Sequence, residues 1–296
     1  MKFCTLILLF FSTTLYAQQD FSWWNELHNW DGHSPWTQYL TMSTSFMGPN
    51  ALPVPEVKQG ELEKELRIEI LSGAHFAKGD NTQDLYTGLF VPLYEGKIAL
   101  EAFVVPLEFF STDTATRDLR AARTKSGKGR AGGDIYFSTQ VQLLQNREKW
   151  PDILLELAFR TASGTRLRDA RHTDGSGYYM DLSAGKTFDI AGERDLQLRL
   201  FAMLGFYSYQ THDPLHLQND CWMEGIGAEL NMKIFSVSQT FSGYRGYLDI
   251  GDQPLVYKGS LIWKRRKLDA KVWYQWGIHD FPYKSIRLGI IYHLPV

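Results

Sequence analysis

Leu196-Gln197-Leu198-Arg199-Leu200-Phe201-Ala202-Met203-Leu204-Gly205-Phe206 carries an apolar residue at every second position, with Gln197 and Arg199 between them. A period of two puts Leu196, Leu198, Leu200, Ala202, Leu204 and Phe206 on one face of a strand. A helix would need apolar residues at i, i+3 and i+4, and this stretch does not supply that pattern. Its eleven residues make it about twice an ordinary globular strand, and match the ~9–11 residues that a tilted strand needs to cross a bilayer.

The same alternation recurs along the chain. It appears in Leu66, Ile68, Ile70; in Ile135, Phe137, Thr139, Val141, Leu143; in Ile153, Leu155, Leu157, Phe159; in Leu268, Ala270, Val272, Tyr274, Trp276; and in Ile286, Leu288, Ile290, Tyr292, Leu294. Strands are expected near 63–76, 83–93, 97–109, 132–145, 152–163, 178–188, 196–209, 222–232, 234–243, 254–264, 268–277 and 284–294, about twelve in all. Alternation does not say which face points inward, but the connections do. Short turns at 94–96, 146–151, 189–195, 232–233 and 265–267 alternate with long loops at 111–131, 164–177, 211–221 and 244–253. Short turns at one rim and long loops at the other suit a membrane barrel. So do the aromatic residues near strand ends, among them Phe109, Tyr178, Tyr207, Trp222, Trp263 and Tyr292, because such rings prefer the membrane interface. In that orientation Leu198 meets lipid and Gln197 the lumen.

On these residues the stretch from Glu63 to Val296 resembles a Gram-negative outer-membrane β-barrel. The resemblance implies an all-β, transmembrane, antiparallel up-and-down barrel. It also implies contact with outer-membrane lipid and lipopolysaccharide, and a last strand (Leu288, Ile290, Tyr292, Leu294) read by the barrel-insertion machinery. The alternative on the residues alone is a soluble β-sandwich or lipocalin-like protein with its apolar face inside.

Composition agrees with a folded chain. Of 296 residues, 44 % are hydrophobic and 22 % charged, near the globular norm. The net charge of −2 gives no whole-chain basis for a nucleic-acid partner. Two cysteines exclude a disulfide scaffold and a multi-cysteine zinc module.

Three segments are expected. Residues 1–17 read as a signal peptide: Lys2 is the basic start, Phe3 to Phe11 the apolar core and Leu15-Tyr16-Ala17 the cleavage site. Its removal takes Cys4 and leaves Cys221 alone, so no internal disulfide is expected. Residues 18–60 hold Trp23, Trp24, Trp30 and Trp36 and a run with Pro49, Pro53 and Pro55. The prolines make that run extended rather than a central strand. It is either a plug or periplasmic lid that packs into the barrel, or a leader resting at the inner rim. Residues 61–296 are the barrel, and both ends of the mature chain are expected at the periplasmic rim.

In this reading the lumen is lined by Glu65, Arg67, Glu69, Glu101, Asp134, Glu156, Arg160, Asp181, Arg199, Glu229, Lys258, Asp269, Lys271 and Arg287. Acids and bases are mixed, so the set is either a selective pore or a salt-bridged filling. About twelve strands lie between a filled eight-stranded barrel and an open sixteen-stranded porin. One loop is basic, with Arg117, Arg120, Arg123, Lys125, Lys128 and Arg130. Facing outward it would meet lipopolysaccharide phosphates or an anionic solute. The function expected is therefore a narrow channel or binding barrel for a small polar solute, with an anion favoured by that loop. A second reading is an outer-membrane lipid or lipopolysaccharide hydrolase, for which His172-Thr173-Asp174-Gly175-Ser176 is the nearest text. A third is a structural or assembly barrel without a pore. No catalytic residue, cofactor or metal is assigned. His28 and His33 lack a third ligand, and Pro214 breaks any helix that would align His212 with His216.

Overall fold

The computed structural model describes residues 20–190 and 193–294; the expected signal peptide, 1–17, lies outside the described residues. The strands are β1 (Leu66–Ala77), β2 (Asp80–Leu93), β3 (Ile98–Thr112), β4 (Lys128–Ala131), β5 (Tyr136–Leu144), β6 (Asp152–Arg160), β7 (Gly177–Ile190), β8 (Glu193–Gln210), β9 (Gln218–Met232), β10 (Phe235–Arg245), β11 (Leu255–Trp263), β12 (Leu268–His279) and β13 (Lys284–Leu294). Twelve of them form a closed antiparallel ring: neighbours in sequence pair, β3 pairs with β5, and β1 pairs with β13. The four-residue β4 only extends the end of β3. The expected barrel of about twelve strands is the observed one.

Alternation sets the two surfaces. Ile226 is 62 % exposed, Leu204 56 % and Leu288 54 %, all on the outside, while Met203 and Met223, of the opposite parity on the same strands, and the charged Arg199 are buried inside. A water-soluble barrel would reverse this arrangement. The outer belt is apolar, with Trp222, Trp263 and Trp276 exposed on it, as the bilayer interface favours. No helix among the described residues is long and apolar enough to cross a membrane; the strands do so. The fold is that of a transmembrane β-barrel of the outer-membrane type.

The two rims differ. Connections 94–97, 145–151, 233–234 and 264–267 lie at one rim, beside Leu294 and the start of β1. The opposite rim carries 113–135, with helix α2 (Thr114–Leu119), and 161–176, 211–217 and 246–254. We call these the short-turn and long-loop rims.

The N-terminal segment threads the ring from end to end. Helix α1 (Ser22–Leu27) sits among the long loops, where the buried Trp24 donates its indole N–H to Ala121 O at 2.9 Å. Ser43 Oγ donates to Ile250 O at 2.8 Å. Residues 47–57 then descend inside the barrel, with Met47, Ala51, Leu52 and Val54 buried. At the bottom Leu62 N donates to Gln142 at 2.8 Å. Asn50 to Gln59 spans ~30 Å when extended, about the thickness of the hydrocarbon core. The first described residues, where Asp20 lies 3.9 Å from Lys125, are therefore at the rim opposite Leu294. This corrects the expectation that both ends share one rim. The tryptophan cluster anchors in the loops, and the proline run is long and straight enough to cross between.

Candidate solute site in the lumen

An extended chain inside a barrel leaves its carbonyl groups without sheet partners, and buried carbonyls need donors. The wall supplies them from charged side chains. Arg160 donates to Ala51 O at 2.7 Å. Lys258 donates to Val54 O at 2.7 Å and reaches Glu56 at 3.0 Å. Arg199 donates to Gln59 O at 2.8 Å and to Asp152 at 3.0 Å. Pro49, Pro53 and Pro55 carry no backbone N–H and so need no acceptor.

Two ionic networks cross the lumen. Toward the long-loop rim, Arg171 is buried and bonds Asp80 at 2.6 Å, Glu108 at 2.7 Å and Thr82 at 2.8 Å. Asp80 also takes Arg120 at 2.6 Å and the Tyr283 hydroxyl at 2.7 Å. Asn50 of the plug donates to Glu108 at 2.7 Å and to Asp84 at 3.1 Å, and Arg287 bonds Asp84 at 2.5 Å. Lower down, Lys58 bonds Glu101 at 2.6 Å and lies 3.6 Å from Glu156. Arg67 bonds Glu63 at 2.5 Å, Lys271 bonds Glu69 at 2.6 Å, and Gln59 donates to Glu229 at 2.7 Å. Asp181 stands directly opposite Glu156 across β6 and β7 and bonds Ser183.

Most of the expected lumen residues thus point inward, but two lie elsewhere. Glu65 is exposed at the short-turn rim, 3.3 Å from His293. Asp134 is buried in the loop before β5 and accepts from Gly164 N at 2.6 Å. Asp269 sits at the lower mouth, 3.0 Å from His293.

The basic loop is not one exposed patch, and this corrects the sequence reading. Arg120 is buried on Asp80, as above. Arg123 lies 4.1–5.8 Å from the rings of Phe21, Trp24, Trp30 and Trp36, and Arg117 stacks on Trp23 at 4.5 Å. The tryptophans of the N-terminal segment absorb these cations. Lys125, Lys128 and Arg130 remain exposed.

His172 and Ser176 are not brought together. His172 is buried between Gly133, Gly164 and Glu108, and burial pushes its imidazole below the ordinary value despite the nearby Glu108 and Asp134. Ser176 lies exposed at the rim, its N–H bonded to Gln210. No group of three or more metal-binding side chains forms among the described residues.

Sequence reading missed Asp80, Asp84, Glu108 and Arg171. Asp80, Thr82, Asp84, Tyr86 and Phe90 share one parity, so the first two acids were legible in phase. Glu108 was not. It follows Glu101 by seven residues, and strict alternation would turn it to lipid. The register slips between Leu85 and Thr87, where Val105 and Pro106 of β3 stand against the single Tyr86 of β2, and this one-residue bulge brings Glu108 inward.

Between the plug and the wall lies a cavity of about 530 Å³. It extends from Asn50 to the short-turn rim, where Lys264, Asp269 and His293 line it. Above Asn50 the lumen is filled by buried Met47, Tyr207, Tyr209, Tyr244 and Tyr283.

A closed barrel, an apolar belt and a polar, partly filled lumen define a transmembrane barrel with an internal site. No protein-family model and no curated protein matches the chain. Solved structures do resemble it. An outer membrane channel from Pseudomonas putida F1 is 10 % identical, with 82 % of this chain and 100 % of that one covered, at a TM-score of 0.49. The transport unit of the autotransporter AIDA-I from Escherichia coli is 10 % identical over 83 % of this chain and 94 % of that one, at 0.47. The KdgM porin in complex with disordered oligogalacturonate is 10 % identical over 76 % and 99 %, at 0.45.

Proposed function

We propose that the protein resides in the outer membrane and admits a small polar solute into a restricted lumen. Entry is from the short-turn side, and the N-terminal segment closes the long-loop side. The observation that carries this reading is the cavity of about 530 Å³ inside a ring of polar side chains, in the size range of small-molecule sites. The short-turn rim is then periplasmic, with Leu294 there and Asp20 outside. Outer-membrane lipid covers the belt, and the barrel-insertion machinery places it. The exposed Lys125, Lys128 and Arg130 face lipopolysaccharide phosphates. An anion is not favoured within the lumen, because its cations already hold acids or carbonyls.

Planar-bilayer conductance tests the reading. The full chain should give small, infrequent openings, and Trp24→Ala combined with Met47→Ala, which loosens the roof, should raise the open time at least tenfold. A large steady pore in the unaltered protein would contradict closure by the segment. Silence in both would favour a structural barrel without a pore, the reading to which the filled upper lumen lends weight.

A further inference from the structure

Resting on the reading of the lumen as a solute site, we propose that its cavity takes a neutral polyhydroxy solute, a small carbohydrate, rather than an ion. Three features of the cavity support this choice.

The first is charge already spent. Lys271 faces the cavity bound to Glu69, Arg67 lies between Glu63 and Glu101, Lys258 is bound to the plug, and Arg287 is bound to Asp84. An anion at any of these four would have to break a pair, and breaking a buried pair strands the other charge; Lys264, at the rim of the cavity, is held by the Asn231 amide oxygen instead.

The second is unused hydrogen-bonding capacity. Ser236, Ser238 and Thr240 on β10, Ser260 on β11 and Gln275 on β12 line the cavity. Their side chains have no hydrogen-bond partner among the described residues. Each hydroxyl both donates and accepts, and the amide does both at separate atoms. That suits a ligand whose own groups are hydroxyls.

The third is an aromatic wall. Tyr86, Phe103 and Trp273 line the same cavity. Phe103 stacks on Tyr136 at 4.5 Å, and Arg287 lies 5.1 Å from Tyr86 and 5.2 Å from Trp273, so the rings are held in place. In the order of the ring, Phe103 on β3 stands six strands from β10, on the opposite side, while Trp273 on β12 is the cross-strand partner of Ser260 and borders the hydroxyls directly. A sugar ring has C–H faces that pack on aromatic rings and a hydroxyl edge that bonds polar groups. The cavity offers both kinds of surface, with Phe103 facing the hydroxyls of β10 and Trp273 adjoining Ser260. A lipid tail would leave the hydroxyl wall unpaired, and such a loss is costly.

The test is titration calorimetry of the full-length protein in detergent, with maltose, sucrose, galacturonate and inorganic phosphate as probes. Maltose or sucrose should bind more tightly than galacturonate, and phosphate should not bind. Ser238→Ala with Ser260→Ala should weaken the sugar at least tenfold, and Trp273→Leu should do the same. Heat-modifiable gel migration would show the barrel intact in each variant. Tighter binding of galacturonate or phosphate than of the neutral sugars would overturn the inference and leave the solute-site reading standing. So would conductance openings that none of the sugars alters, with no heat of binding. The absence of both conductance and binding would strike the underlying reading itself.

Discussion

Ile226 stands on the outer face of β9 between Ala202 of β8 and Phe241 of β10, with no polar partner within the belt. An arginine there loses water without gaining an acid, so Ile226→Arg should cost on the order of 2–4 kcal/mol. Gln197 faces the other way and already donates to Asp189 at 2.9 Å. Gln197→Arg should therefore fall within about 0.5 kcal/mol of the unaltered protein, as ordinary polar positions do. Urea titration of the barrel folded into lipid vesicles would read both, and equal costs would show the outward-apolar assignment to be wrong. Inside, Lys58 answers to two acids at once. Lys58→Met leaves Glu156 buried without a cation and Glu101 with Arg67 alone, at 3.5 Å, a loss of about 3–5 kcal/mol by analogy with broken buried pairs. Lys58→Arg should recover most of it in the same titration.

At the scale of elements, the plug meets the wall backbone to backbone where Gly60 passes Gly185 of β7. Gly60 has φ +82°, and a Cβ there would lie 2.5 Å from Gly185 N; one on Gly185 would lie 2.0 Å from Gln59 O. Gly185→Val should push the lower plug off the wall and free Arg199, while the ladder of β6, β7 and β8 stays paired. Limited proteolysis should then cut near 59–62 at least tenfold faster, with heat-modifiable migration unchanged; an unchanged cutting rate would place the plug elsewhere. The loop 161–176 carries a different sensitivity. Folded, the buried His172 takes a proton less readily than the unfolded ~6.5. Below about pH 6.5 the unfolded chain binds a proton that the folded loop refuses, so local stability falls as the pH drops from there toward the folded value. Hydrogen exchange across 161–176 should quicken between pH 7.5 and pH 5, and His172→Gln should flatten the change. These two elements also mark the limit of what the sequence discloses. The strands were legible because period two is a local signal repeated over ten or more residues, as in Leu196–Phe206. The plug's path was not, because it is fixed by single contacts between distant residues, such as Lys58 with Glu101 or Asn50 with Glu108. The role of Arg171 was hidden for the same reason: nothing near it in sequence announces Asp80.

Taken as one molecule, the barrel holds its described N-terminal end and its C-terminal strand at opposite rims. An epitope joined ahead of Asp20 should be reached by antibody on intact cells, and one joined after the last strand only after permeabilisation; the reverse pattern would invert the barrel. The threading also constrains the order of events in biogenesis. A ring sealed between β1 and β13 cannot admit a chain sideways. The segment ahead of β1 must either lie between the sheet's two edges when the seam zips, or be drawn through the finished hoop afterwards, past a roof of tyrosines. The first route needs only a curled, unsealed sheet wrapped round its own leader. Seam closure then acts as a one-way latch: once β1 meets β13, the segment can leave only lengthwise, against every arginine and lysine that holds its carbonyls.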